Sequence, residues 1–389
     1  MQRIYLDNNS TTAIDPRVAA AIEPYIREHY GNPSNIHSFG RECSEGLAEA
    51  REQVASLLGA EPDEIYFTGS GSEADNWAVK GVAATRPPNK SHIIASPIEH
   101  SAVLGSLEYL ESLGHRVTRL PVDHYGVVDP AEVQRAISPD TVLVTVMLAN
   151  NEIGTIEPVR AIADICREAG VTSHTDAVAA TGKISVDVAE LGVDLETISG
   201  HKLQAPKGVG ALYIRKGTDI HPFIHGGHQE RGMRAGTENV IGIVGLGKAC
   251  ALLAQEWRRN AEHDRRLRDR LEQAILARVP EVRLNGHPTQ RVPNVCHCSV
   301  GYIEGEALLM NLDLEGIAVA SGSACSSGGA EPSPTTKALG LPPLFLNSPV
   351  RFSLGPANTE AEIDYTVGVF ERVVARLRSI SPIWNRRPA

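Results

Sequence analysis

The chain has 389 residues, 42% of them hydrophobic and 22% charged, a composition ordinary for a soluble globular protein and a length that allows two domains. Its formal net charge of −10 argues against nucleic acid or an anionic membrane surface as the main partner. We expect neither a secretory signal nor a membrane span, and the six scattered cysteines favour a reducing cytoplasm over a disulfide framework.

Between about residue 15 and residue 214, apolar β-rich runs alternate with helical patterns. In the segment GLAEAREQVASLLG (46–59), for example, Leu47, Val54 and Leu58 share one helical face. Such alternation predicts an α/β fold with a mostly parallel sheet that helices cover on both sides. The predicted strands are EIYFTG, SHIIAS, HRVTRL, TVLVTVML, VTSHTD, LETISG and GALYI.

The second half begins with a long segment, residues 239–276, that is apolar at first and charged later. This pattern predicts a long helix that leaves one domain for another. Short strands (VPNVCHCSV, GIAVAS, VRFSL) and an amphipathic closing helix (359–380) follow it and predict a small α+β domain. We therefore predict a large domain over 15–257 and a small domain formed by 1–14 with 258–389.

Ligands of open α/β sheets bind at the carboxyl ends of strands, so the residues after each strand matter most. The segment TGSGSEADN follows the first strand and opens a helix, where Gly71 and its neighbours can cradle an anion. A dinucleotide site and a plain helix start with Ser72 as the N-cap are alternatives there. The later strands are followed by His100, Asn151, Asp176 and Lys202.

Together these residues meet the demands of pyridoxal phosphate (PLP). That cofactor needs a lysine amine, an acid beside its pyridinium nitrogen and a phosphate cradle at a helix N-terminus. Lys202 and Asp176 each end a separate predicted strand, and His100 would supply an aromatic face for the ring.

The segment ASGSACSSGGAEPSP places Cys325 among serines and glycines. Small polar residues do not build a core, so we predict a mobile surface loop over about 321–334. An inert core cysteine fits this setting poorly, which makes Cys325 a candidate nucleophile.

Over essentially its whole length, the chain resembles the cysteine desulfurases of the nitrogen-fixation and iron–sulfur-assembly type. These enzymes belong to the class V aminotransferases of PLP fold type I. The resemblance rests on the order of YLDNNSTT, YGNPSNIH, NNEIG, HTDAV, SGHK, PKGVGALY, RGMRAGTEN, SGSACSS and VRFSLGPANTEAEIDYT. It implies a large domain with a seven-stranded, mostly parallel sheet and a smaller α+β domain that carries the cysteine loop.

For the cofactor, the resemblance implies that Lys202 bonds PLP and moves protons, that Asp176 pairs with the ring nitrogen and that His100 stacks on the ring. Thr237 would reach the phosphate of a neighbouring subunit, which implies a homodimer with shared active sites. The residues implied to hold the phosphate are Gly71, Ser72, Ser199 and His201.

For the substrate, the resemblance implies that Asn151 lies near the cofactor phenolate and that Arg351 grips the carboxylate of L-cysteine with its bidentate fork. The Cys325 thiolate would take the sulfur, leave alanine and pass a persulfide to an acceptor or scaffold protein.

Three features depart from the family pattern. Ala179 stands where a glutamine usually contacts the phenolate, Leu203-Gln204-Ala205 replaces an aromatic residue and a glycine after Lys202, and Pro349 precedes Arg351. A selenocysteine lyase or related class V lyase is therefore kept as an alternative, as is a noncatalytic partner-binding homologue.

Two further segments contain possible metal ligands, but we predict no metal site. Cys296, His297 and Cys298 are expected to form a plain strand, since no second ligand pair accompanies them. The segment HGGHQE (225–230) aligns with a family loop.

Overall fold

The computed structural model describes residues 3–322 and 332–386; Cys325 and most of the predicted cysteine loop lie outside the described residues. The strands are β1 Ile4–Tyr5, β2 Ile65–Thr68, β3 His92–Ala95, β4 Arg116–Arg119, β5 Thr141–Thr145, β6 Thr172–Asp176, β7 Leu195–Ser199, β8 Gly210–Ile214, β9 Val282–Leu284, β10 Val295–Val300, β11 Ile317–Ala318 and β12 Pro349–Ser353. The helices are α1 Pro16–Arg27, α2 Ser38–Leu58, α3 Gly71–Ala83, α4 Ser101–Ser112, α5 Pro130–Ala136, α6 Val159–Ala169, α7 Val188–Leu191, α8 Val240–Arg278, α9 Gly305–Leu314, α10 Pro334–Ala338, α11 Pro343–Leu346 and α12 Glu360–Ser379.

One large sheet contains all seven strands predicted in the first half, in the order β2-β8-β7-β6-β5-β3-β4. Neighbouring strands from β7 to β4 are parallel, whereas β8 runs antiparallel to both β2 and β7. Every residue of β3, β7 and β8 is buried, as expected for strands with both faces covered. The predicted fold class is confirmed.

Helices pack on both faces of this sheet. On one face, α2 and α8 contribute Leu47 and Leu246 to a core that includes Ile198 of β7. On the other face, α3 buries Trp77 against Ile93 of β3. Burying one large apolar side chain contributes about 1.5–3 kcal/mol, so these two layers hold the sheet rigidly beneath the cavity described below.

Helix α8 connects this core to a second one. Leu246 packs in the first core, whereas Leu267 and Leu271 pack in the second with Phe370 of α12. The small sheets β12-β10-β9 and β1-β11 lie in this second region. The predicted domain boundary at 257/258 falls inside α8 and stays a prediction.

By length and composition alone, α8 is long and apolar enough to cross a membrane. This is a weak indication, because core helices meet the same criterion, and α8 packs along α1 and α2.

One helix start differs from the prediction. Helix α2 begins at Ser38, eight residues before the predicted segment at Gly46. The ring of His37 caps it by accepting from the Gly40 N–H at 3.2 Å. A histidine N-cap gives no strong sequence signal, because Ser, Thr, Asp and Asn are the usual caps.

Candidate active site

Strands β6 and β7 end at Asp176 and Ser199, beside a cavity of about 280 Å³. Nine of the predicted site residues line it: Gly71, Ser72, His100, Asn151, Asp176, Ser199, His201, Lys202 and Arg351. Ala179, the main departure from the family pattern, lines it as well. Thr237 is exposed elsewhere on the surface, and Cys325 lies outside the described residues.

Lys202 ends a short helical turn, Gly200–Lys202, directly after β7. Its Nζ donates to the Ser10 carbonyl at 2.9 Å and also to the Asn9 carbonyl. The turn therefore carries the amine into the cavity wall, and the N-terminal segment of the chain orients it there. A primary amine in this position can bond an aldehyde carbon covalently.

Asp176 ends β6 and is almost fully buried. Its Oδ1 accepts the Val178 N–H at 2.8 Å. Burial raises the pKa of this carboxyl, whereas the charges of His100 and Lys202 lower it. An ionised carboxylate at this depth needs a cationic partner, and a protonated ring nitrogen in the cavity would supply one.

The N-terminus of α3 forms the opposite end of the cavity. Ser70, rather than Ser72, is the N-cap, since its side chain accepts the Glu73 N–H at 3.1 Å. The helix begins at Gly71, with its N–H 3.4 Å from Ser199 Oγ. The positive end of the helix dipole makes this a favourable place for an anion.

The cradle has little spare room. A Cβ added to Gly71 would lie 3.0 Å from Ser199 Cβ and 3.0 Å from Val178 Cγ2. His201 lies on the same wall, and its Nδ1 is 3.2 Å from Thr11 Oγ1. Burial lowers the pKa of His201 to about 4, with Lys202 acting in the same direction, so the ring is neutral near pH 7. A neutral imidazole hydrogen-bonds an anion without adding charge to the site.

His100 caps a helix and also lines the cavity. It is the N-cap of α4, where its Nδ1 accepts the Ala102 N–H at 3.2 Å, and its ring also lines the cavity. Burial lowers its pKa, opposed by Asp176 and helped by Lys202. The capping bond holds one edge of the ring and leaves its plane as a surface for an aromatic ligand.

Arg351 reaches the cavity from β12 and is 1% exposed. It donates to Asp7 Oδ1 and Ser10 Oγ, both at 2.8 Å, and to the Asn151 carbonyl at 2.9 Å. Its Nε has no hydrogen-bond partner within residues 3–322 and 332–386. The Asp7 ion pair makes burial of the guanidinium tolerable, and Arg351 places a positive charge at the cavity wall that suits an anionic ligand.

The cavity has further lining residues that the sequence did not assign: Asn9, Ser10, Ser70, Asp75, Met147 and Val178. The position of Asp75 in the cavity could have been predicted from the sequence, because Asp75 lies four residues after Gly71 and therefore on the same face of a helix that starts there. Asn9 and Ser10 had none, since they approach Lys202 from 192 or more residues away.

The two segments with possible metal ligands lie apart from this cavity. Cys296 and Cys298 are buried in the second core on β10, the plain strand that was predicted. Glu230 pairs with Arg51 at 2.7 Å and accepts the Phe67 N–H at 3.0 Å. Both segments therefore have structural roles in the described part of the chain.

Comparison with known proteins assigns the family. The family described as Aminotransferase class-V matches residues 4–366. The chain belongs to the class V aminotransferase family. A cysteine desulfurase IscS of Dictyoglomus turgidum is 48% identical to this class V member over 381 residues, which is 98% of this chain and 97% of that relative.

Solved structures agree with this assignment. A NifS-like protein has a TM-score of 0.91 at 39% identity and covers 97% of this chain and 100% of its own. The structure of SspA in complex with cysteine has a TM-score of 0.81 at 32% identity, with 92% of this chain and 100% of that chain covered.

Class V aminotransferases depend on PLP, and the donors in this cavity fit that cofactor. Lys202 supplies the amine, Asp176 the buried acid and His100 the ring face. The cradle of Gly71 and Ser199, which a single Cβ would crowd, fits a phosphate. The residues present are therefore those that would hold PLP.

Proposed function

We propose that this chain is a PLP-dependent cysteine desulfurase, which converts L-cysteine into L-alanine and moves the sulfur to Cys325. One observation carries the proposal: the amine of Lys202, the carboxyl of Asp176 and the guanidinium of Arg351 line one cavity with the N-terminus of α3. The cysteine desulfurases among its relatives, which align over nearly the whole chain, support it.

The chain's own residues would hold the cofactor and handle protons. When bound, PLP withdraws electrons from the substrate and so opens its sulfur to nucleophilic attack. Asp176 would keep the ring nitrogen protonated, and His100 would pack against the ring. Lys202 Nζ takes and returns protons at the substrate carbons, and the carbonyls of Asn9 and Ser10 orient it for this role.

Arg351 would bind the substrate carboxylate. Its ion pair with Asp7 holds the guanidinium in place at the cavity wall, where its positive charge would attract a carboxylate. Asn151 lies beside it, since the Asn151 carbonyl accepts from Arg351 at 2.9 Å and its side chain lines the cavity. The substrate carboxylate would thereby fix the orientation of the cysteine sulfur.

In the sulfur-transfer step, the Cys325 thiolate attacks the substrate sulfur. A sulfur–sulfur bond forms, the carbon–sulfur bond breaks, and the carbon takes a proton from Lys202. L-Cysteine and an enzyme thiol thus yield L-alanine and an enzyme persulfide, and the reaction requires no external oxidant or reductant.

The partners of this reaction also belong to the proposal. The persulfide would pass to an acceptor or scaffold protein in the cytoplasm, for iron–sulfur clusters or other sulfur-containing products. In a homodimer, the exposed Thr237 would reach the phosphate of the neighbouring subunit.

The test is to incubate the purified holoprotein with L-cysteine and to measure alanine and protein-bound persulfide. Cys325→Ser should keep the cofactor but lose both products by orders of magnitude, because a hydroxyl cannot replace the thiolate. Cys298→Ala, which alters a cysteine buried on β10, is the matched control and should stay active.

Near-normal alanine production by Cys325→Ser would contradict the mechanism. Release of selenium from L-selenocysteine by a parent protein that is inactive on L-cysteine would instead identify a selenocysteine lyase.

A further inference from the structure

Asp75 is a second buried carboxyl in the cavity, and the proposed function gives it no role. It lies one turn into α3, is 1% exposed and lines the cavity with Asp176. One side-chain ligand atom of each of Asp75, His100 and Asp176 lies within 4.8 Å of the other two. The two carboxyls are therefore close enough to influence each other's ionisation.

The groups around Asp75 do not neutralise it. Thr197 hydrogen-bonds the carboxyl, but Asp75 Oδ1 has no hydrogen-bond partner among the described atoms. His174 Nε2 lies 3.8 Å from that oxygen, yet burial lowers the pKa of His174 to about 3, so its ring is neutral. The acidic groups that act on Asp75, Asp176 and Glu99, raise its pKa further.

Asp176 is better placed to carry a negative charge. It accepts the Val178 N–H at 2.8 Å, and the charges of Lys202 and His100 favour its ionised form. Burial and the neighbouring Asp176 raise the pKa of Asp75 well above its ordinary value. Two buried carboxyls at this separation share one charge, as a rule, rather than both ionising.

We propose that Asp75 is a positioning residue, a protonated carboxyl behind Asp176 that limits the charge facing the cofactor's ring nitrogen to one. Asp75 acts through Asp176, beside which it lines the cavity. Ionisation of Asp75 at alkaline pH adds a second negative charge and tightens the hold of the site on the ring proton. This deepens the proposed function and rests on it only in placing Asp176 beside PLP.

The experiment uses Asp75→Asn, which keeps the shape of the side chain and its neutral charge. Difference infrared spectra of the apoprotein at pH 7 should show one protonated-carboxyl band fewer than in the parent. The Kd of PLP should stay within about threefold of the parent value, which is a smaller change than the tenfold that corresponds to about 1.4 kcal/mol. The matched control is Asp219→Asn, whose side chain is 69% exposed, and it should keep every such band.

A second readout follows the bound cofactor. Besides the titration of the cofactor itself, the visible band of the parent holoprotein should show a separate alkaline transition that Asp75→Asn lacks, because the amide cannot ionise. A purely structural role for Asp75 would not remove a titration.

Two results would overturn the proposal. The first is an unchanged set of protonated-carboxyl bands in a folded Asp75→Asn protein. The second is a PLP affinity reduced tenfold or more in that protein, because this would show that Asp75 is needed as an anion. If Asp75→Asn does not fold, parent protein labelled with ¹³C-aspartate serves instead. Burial also raises the pKa of Asp264, so the labelled protein carries the substitution Asp264→Asn. Absence of any isotope-shifted protonated-carboxyl band at pH 7 then overturns the proposal, and its presence supports it. The infrared result needs no turnover, so it is independent of whether the chain desulfurates cysteine.

Discussion

Replacing Gly71 with alanine should weaken PLP binding without unfolding the protein. The new Cβ would lie 3.0 Å from Ser199 Cβ and Val178 Cγ2, so these neighbours must move by a few tenths of an ångström. Alanine is favoured over glycine in helix interiors by about 1 kcal/mol, and because Gly71 is the first residue of α3 only part of this gain offsets the crowding. We therefore expect the free energy of unfolding to change by less than about 1 kcal/mol.

The cofactor phosphate has no such compensation. A hydrogen bond to a charged group contributes about 1.5–3 kcal/mol, and loss of one such bond from the cradle raises the Kd of PLP about 10- to 150-fold. The assay is a fluorescence titration of the apoprotein with PLP, with chemical denaturation run in parallel. Gly105→Ala is the matched control, because Gly105 lies in α4 and a Cβ there meets no described atom within 4 Å.

An unchanged Kd for a folded Gly71→Ala protein would refute the reasoning. It would mean that the phosphate does not lie at the N-terminus of α3 and that Gly71 and Ser199 do not bind it. Equal weakening in Gly105→Ala would show that the effect does not come from the cradle.

Two other predictions concern the tuning of the site and its stability. Ala179→Gln places an amide donor on the cavity wall. It should shift the pH titration of the bound cofactor's visible band by about one pH unit. Superimposable titrations of the two fully loaded proteins would show that residue 179 does not contact the phenolate. Burial lowers the pKa of His297 to about 4 in the folded protein. As the pH falls below about 6.5, His297 is therefore protonated in the unfolded chain before it is protonated in the folded protein. This stabilises the unfolded chain, so the free energy of unfolding decreases as the pH falls from about 6.5 towards 4. At pH 5 the free energy of unfolding is lower by about 2 kcal/mol than at pH 7 because of this histidine. In urea unfolding, His297→Asn should lack this decrease, whereas the control His124→Asn, which changes an exposed histidine, should keep it. The same decrease in His297→Asn as in the parent and the control would contradict this.

Much of the cavity could be predicted because of a rule of α/β folds. Parallel strands align their carboxyl ends, so Asp176 and Lys202, which come at the ends of two predicted strands, were expected to meet at one edge of the sheet. The same periodicity predicted the seven strands and the long helix α8, and the structure contains all of them. Local pattern was sufficient here because turn residues bound the elements and strands alternate regularly with helices, even where a strand is short and polar, as β6 is.

The tertiary structure decided which distant residues complete the site. Ser10 holds both Lys202 and Arg351, across separations of 192 and 341 residues, and neither contact has a local signal. Whether Asp75 faced a cation or a second acid also depended on how α3 packs against β6 and β7. Sequence patterns report the face on which a residue lies, whereas the partner it meets there is set by the packing of whole elements, and that packing determines the charge of a buried group.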